Sequence, residues 1–164
     1  MFKLAETHAA AGEAFRPKKR QKDGDCQLRY RLPDPRCTPG AVMAIDFDTL
    51  CHQPAHLRAR IAPALEKKAL ADYGYLSSHG QEELKLDHLI PLSLGGDNTI
   101  ENLWPQPSKP SPGFHEKNYA EAYLHDKVCS GEMTLAEAQR QIATDWLSVW
   151  LKISRGTGDD GQAR

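Results

Sequence analysis

The spacing of apolar and polar positions changes several times along the chain, and each change marks an element. Leu84, Leu86 and His88 alternate with Lys85 and Asp87, which predicts a short strand ending at the Asp87-His88 pair. An apolar run over 89–94 leads into Gly95-Gly96-Asp97-Asn98, a turn sequence, because Gly and Asn adopt positive φ with little strain. A second extended piece then carries Asn102, Leu103 and Trp104. Helical spacing appears over 63–73, where Leu65, Ala69, Leu70 and Tyr73 fall near one face, Pro63 suits the first turn and Gly74 the stop. A further helix is expected from near His115 to Val128, with Ala122, Tyr123, Leu124 and Val128 as its buried stripe and Gly131 as its exit. Thr134-Leu135-Ala136-Glu137 has the form of a capping box. After it Leu135, Ala138, Ile142, Trp146, Val149, Trp150 and Ile153 recur at steps of three and four, so the tryptophans read as core.

Between these elements the chain is punctuated by proline. Leu32-Pro33-Asp34-Pro35-Arg36-Cys37-Thr38-Pro39-Gly40 cannot form a helix or a central strand and reads as an ordered loop. Residues 41–50, with Val42, Met43, Ile45 and Phe47, read as a short element feeding the core. Pro105, Pro107, Pro110, Pro112 and Gly113 assign residues 105–113 to irregular structure. Residues 75–85 read as a connecting loop in which His79 is exposed, and Ala9, Ala10, Ala11 and Glu13 suit a helical turn or two. The mixture of short strands and separate helices predicts an α+β fold.

At 164 residues the length prior gives one domain, and 40% hydrophobic with 26% charged residues fits a globular chain. A formal net charge of −1 excludes global attraction to nucleic acid, so any such surface must be a local basic patch. Arg16-Pro17-Lys18-Lys19-Arg20-Gln21-Lys22 is such a patch, and Lys18, Lys19 and Arg20 are its candidate phosphate contacts; a solvated tail is the alternative. The domain is expected over 26–154, between a flexible basic arm over 1–25 and a frayed tail over 155–164. No apolar run approaches the roughly 20 residues that span a bilayer. No charged and then apolar leader opens the chain, which as it stands implies the cytoplasm. Cys26, Cys37, Cys51 and Cys129 have no CxxC spacing, so a cysteine-rich zinc domain is disfavoured; they pair if exported and stay free thiols otherwise.

Asp87 and His88 are the densest chemistry in the sequence. Neighbours on a strand point to opposite faces, so the two cannot be equal ligands of one metal, but they can divide a task. Asp87 would bind a divalent cation and His88, whose unperturbed pKa lies near neutrality, would serve as a base. Hydrolysis of a phosphodiester needs that division. The row His115, Asn118, Glu121 and His125 falls at steps of three and four on the expected helix and offers further ligands.

Asp87-His88, the Gly95-Gly96 turn, Asn102-Leu103 and a following helix with polar residues resemble the HNH endonuclease motif of the ββα-metal superfamily. The longer string DHLIPLSLGG…NLWPQP resembles a bacterial and phage branch of it, over roughly 32–146. The resemblance implies a ββα-metal core over about 84–129 with flanking helices and a DNA endonuclease activity, RNA not being excluded. It makes Asp87 a metal ligand, His88 the general base and Asn102 the brace of the loop that carries the base. The last ligand would come from the helix, as His115 or Asn118, with Glu121 orienting a ligand from behind. The cofactor implied is one divalent metal ion: Mg²⁺, Mn²⁺, Ni²⁺ or Zn²⁺. Similar proteins are often secreted, with cysteines in regions like those of Cys37, Cys51 and Cys129, which implies a disulfide. An inhibitor or immunity protein is a further implied partner. The alternative from a different class is a catalytically silent HNH-like module that binds nucleic acid or a protein.

Overall fold

The computed structural model describes residues 14–53, 60–75 and 84–159. The helical turn expected at Ala9–Glu13, the loop position of His79 and residues 160–164 lie outside the described residues. The fold is α+β, with helices α1 (Phe47–His52), α2 (Pro63–Asp72), α3 (Phe114–Cys129) and α4 (Leu135–Asp159) around one two-stranded antiparallel sheet. No helix among the described residues is long and apolar enough to cross a membrane.

The sheet pairs β1 (Leu84–His88) with β2 (Leu103–Pro107), so that Asp87 lies opposite Trp104 and His88 opposite Leu103. Pro105 and Pro107, which their chemistry assigned to irregular structure, lie inside β2. The register explains the difference. Residues 103, 105 and 107 direct their backbone polar groups away from β1: the Leu103 N–H donates to the Ile100 carbonyl, and the Leu103 carbonyl accepts from Thr38 Oγ1 at 3.2 Å. The even-numbered edge makes the ladder, which extends to a bond from Leu89 N to Asn102 O at 2.8 Å. A strand with only one neighbour loses nothing when its outer edge lacks N–H groups.

The buried face of α3 is Phe114, Lys117, Ala120, Leu124 and Val128, rather than the stripe expected from Ala122 and Tyr123. Ala122 is exposed, and a lysine takes a place on the inward face. Glu116 accepts a hydrogen bond from the Gly113 N–H at 2.6 Å and so closes the first turn of α3. Thr134 Oγ1 accepts from the Glu137 N–H at 3.1 Å at the start of α4. α4 breaks at Asp145, whose φ of −161° and ψ of 63° are not helical. The Asp145 carboxylate caps the segment that follows, accepting from Ser148 N at 3.1 Å and Ser148 Oγ at 2.5 Å. Residues 155–159 continue α4, a correction to the frayed tail read from Gly156 and Gly158.

Ile90, Leu94, Ala120, Leu124, Ile142 and Trp146 form the larger core between the loop after β1 and the helix pair α3–α4. Cys26, Cys37, Tyr73, Leu89 and Trp104 form a smaller one behind the sheet. The basic arm is docked over its described part, which corrects the flexible reading of residues 14–25. Gln21 N and Lys22 N donate to the Arg36 carbonyl at 2.8 and 3.1 Å, and Arg20 pairs with Asp72 at 2.6 Å.

All four cysteines are bonded, Cys26 to Cys37 and Cys51 to Cys129. The second bond ties the end of α1 to the end of α3 across 78 positions of sequence. Closing so long a loop removes much chain entropy from the unfolded state, so Cys51→Ser/Cys129→Ser should lower the unfolding free energy by about 4 kcal/mol. Urea unfolding of this pair variant against wild type checks the value, and an unchanged midpoint would show that the bond does not hold the fold.

Candidate functional site

The site is built on the loop between the two strands. Gly95 adopts φ 73°, and a Cβ at Gly96 would stand 1.8 Å from the Ile90 carbonyl oxygen. Only glycine permits that approach, and it folds the loop back on its own beginning. Asn102 then locks the fold-back. Its side chain is fully buried; Oδ1 accepts from Ile90 N at 2.9 Å, while Nδ2 donates to the carbonyls of Ile90 and Asp97 at 2.8 and 2.9 Å. Both ends of the amide are used against backbone, so Asn102 ties the start of the loop to its end. The proline-rich segment supports it from outside, with Gly40 N donating to Glu101 O at 2.8 Å.

That loop leaves His88 half-buried at the end of β1, beside an open cleft of about 310 Å³ lined by Lys85, Asp87, His88, Leu92, Ser93 and Glu121. His88 Nε2 meets Asn98 Oδ1 at 2.5 Å. An amide oxygen only accepts, so Nε2 carries the proton and Nδ1 the lone pair, the state of a base. Burial pushes the His88 imidazole below its ordinary value of 6.5, against the opposing pull of the Asn98 bond and the Asp87 charge. The imidazole is therefore neutral at pH 7. Asn98 reads in the sequence as a turn residue, and nothing in its local pattern signals a bond to His88 ten positions earlier.

Asp87, on the other face of the strand, is buried against α3. Its Oδ2 accepts from Lys117 Nζ at 3.1 Å. The same ammonium donates to the His88 carbonyl at 2.8 Å and to Glu121 Oε1 at 2.5 Å. Lys117 is wholly buried. Burial alone would lower its pKa, but the charges of Asp87 and Glu121 outweigh that effect and hold it raised. Burial raises the Glu121 carboxyl, with Lys117 opposing. The sequence signal for Lys117 is its place one step of three before Ala120 in the buried stripe, with Glu121 four residues on.

Lys85 completes the group. Its ammonium lies 3.7 Å from Asp87 Oδ1 and 3.5 Å from Asn118 Oδ1, above the ring of Phe114 at 5.7 Å. An exposed surface cation thus stands between the outer oxygen of Asp87 and the side-chain oxygen of Asn118. His115 is exposed, with its ring 4.3 Å from that of Phe114. Asp87, His88, Asn102 and Glu121 gather around the end of β1, and Asn118 is reached only through Lys85. Lys18 and Lys19 are exposed beside a shallow groove that also contains Gly40, Ala41 and Glu101. Arg20 is held by the Cys37 carbonyl at 2.9 Å and by Asp72, so it supports the fold rather than a phosphate.

A second group of ligand-type side chains, Cys51, His125 and Cys129, lies within 4.8 Å, but its two sulfurs are bonded to each other. Comparison of the chain with family models, with curated proteins and with solved structures gives no match.

Proposed function

We propose that this protein is a metal-dependent endonuclease that hydrolyses phosphodiester bonds in DNA, with β1, β2 and α3 as a ββα-metal core. The observation that carries the reading is the neutral His88 at the mouth of an open cleft, on a strand end that Asn102 holds rigid, with the Asp87 carboxylate next to it in sequence. His88 Nδ1 takes the proton of the attacking water, and the Asn98 oxygen steadies the imidazolium that results. Asn102 keeps that nitrogen from drifting relative to the strand.

Asp87 and Asn118 fit a cation. Their oxygens already flank the Lys85 ammonium, and both are hard donors suited to Mg²⁺ or Mn²⁺. This geometry favours Asn118 over His115 as the ligand from α3. A divalent ion held there would stabilise charge on the phosphate and on the departing 3′ oxygen. Lys18 and Lys19 would follow the DNA backbone on the side of the Asn102 loop. Two disulfides suit an oxidising compartment, where an inhibitor or immunity protein would be needed only before export.

The alternative, a silent module that binds nucleic acid or a protein, draws on the Lys117 ammonium already neutralising Asp87. Supercoiled plasmid incubated with EDTA, Mg²⁺, Mn²⁺, Ni²⁺ or Zn²⁺ separates the two. Nicking in at least one metal, and none in EDTA, is expected. No nicking in any metal, together with retarded plasmid on a gel, would favour the silent module.

A further inference from the structure

Lys117 is not among the residues that the nuclease reading requires, yet it touches more of the site than any of them. A buried ammonium has three N–H donors, and all three of its acceptors belong to this region: the Asp87 carboxylate, the Glu121 carboxylate and the backbone carbonyl of His88. The chain places a charge at zero exposure there, although desolvating an ammonium is costly unless every donor is met. A purely structural tie between α3 and β1 could use apolar contact at lower cost. An ion at that point fixes direction as well as distance, since each acceptor must face Nζ.

The consequence lies at the reacting groups. By holding Asp87 Oδ2, the ammonium turns Oδ1 outward, toward Lys85 and Asn118. By holding the His88 carbonyl, it fixes the peptide that follows the imidazole, on the side opposite the Asn102 brace. Glu121 anchors the ammonium on α3 one turn further along. On the endonuclease reading above, on which this inference rests, we infer that Lys117 is the positioning residue of the site: one buried ammonium, anchored by Glu121, sets both the Asp87 carboxylate and the backbone of His88. The sheet and the helix are thereby held in one register by the groups that do the chemistry.

Removing Lys117 alone leaves two carboxylates unneutralised in a buried place, so Lys117→Met is liable to unfold. Lys117→Met/Glu121→Gln removes one charge of each sign, and such paired replacement is far better tolerated. The full-length double variant is compared with wild type for plasmid nicking in Mn²⁺ and for the ¹⁵N resonances of the His88 ring. Expected are a melt that stays cooperative but moves to lower temperature, because Asp87 and the His88 carbonyl lose a donor, a kcat about 100-fold lower with KM for plasmid altered by less than about threefold, and displaced His88 resonances, as misplacement of a base requires. A wild-type kcat, or a loss confined to KM, would overturn the inference. Should wild type itself fail to nick, the endonuclease reading falls and this inference with it, whereas wild-type nicking with an unchanged kcat or unchanged His88 resonances in the double variant overturns the inference alone.

Discussion

His88→Ala should reduce plasmid nicking by about 10³-fold while leaving the melting temperature close to that of wild type, within the range that a positioned general base contributes. The side chain is half-buried and hydrogen-bonds to Asn98, so little of the fold depends on it. The proton acceptor, by contrast, has no substitute in the cleft among the described residues: Asp87 is engaged by Lys117, and Glu121 by the same ammonium. Metal affinity should persist in the variant, because the oxygens of Asp87 and Asn118 are untouched. Full nicking by His88→Ala would remove the imidazole from the mechanism. The wild-type pH profile carries the same assignment. Burial lowers the folded pKa of His88 below 6.5, so the neutral base is fully present above that value and is lost as pH falls through the lowered one. Activity should therefore hold through neutrality and decline on the acid side, below pH 6.5. For the same reason the folded state gives up a little stability as pH drops through that window, since the unfolded chain takes the proton first. A decline beginning well above neutrality would contradict the assignment.

Asn102→Ala has the largest expected effect on the fold. It would strand the buried Ile90 N–H and carbonyl, and the half-buried carbonyl of Asp97. Buried backbone groups left without partners cost about 1–3 kcal/mol each, so the two Ile90 groups alone should cost about 2–6 kcal/mol. A domain with only about 5–15 kcal/mol in hand would become marginal. The damage should be local before it is global, because the bonds lost are those that close the loop between the strands. Amide exchange at Ile90 should accelerate more than exchange in α4. Asn102→Asp is the informative companion, since it keeps an acceptor for Ile90 N but turns a donor into a charge facing two carbonyls. Urea unfolding of both variants checks the order, with Asp at least as damaging as Ala. Wild-type stability in Asn102→Ala would mean that the loop is closed by packing alone.

Elements with strong local signals were legible in their own residues. The strand ending at His88, the turn at Gly95-Gly96, the helices opening at Pro63 and near His115, and the amphipathic run after Thr134 all appear where their spacing and caps place them. The α+β class follows from that order of elements. Local chemistry was a poorer guide where an interaction spans the chain. β2 runs through Pro105 and Pro107 because only its inner edge is paired, and no local rule says which edge that is. The buried face of α3 includes Lys117 because Asp87, thirty residues earlier, meets its charge. An isolated helix would have placed that lysine in water.

Tertiary structure alone decided how the candidate residues divide. Asn118 meets Lys85, whereas His115 lies against Phe114, although both stand on the first turns of one helix. The rotation of α3 is set by Ala120, Leu124 and Val128 entering the core, and the positions of its polar residues follow from that burial. Arg20 left the basic patch for Asp72 because the arm packs against α2 beside the Cys26–Cys37 bond. Hydrophobic spacing is written in a few successive residues and can be read from them. The partner of a buried charge is decided by which distant segments the core brings together, and that is known only once the chain has folded.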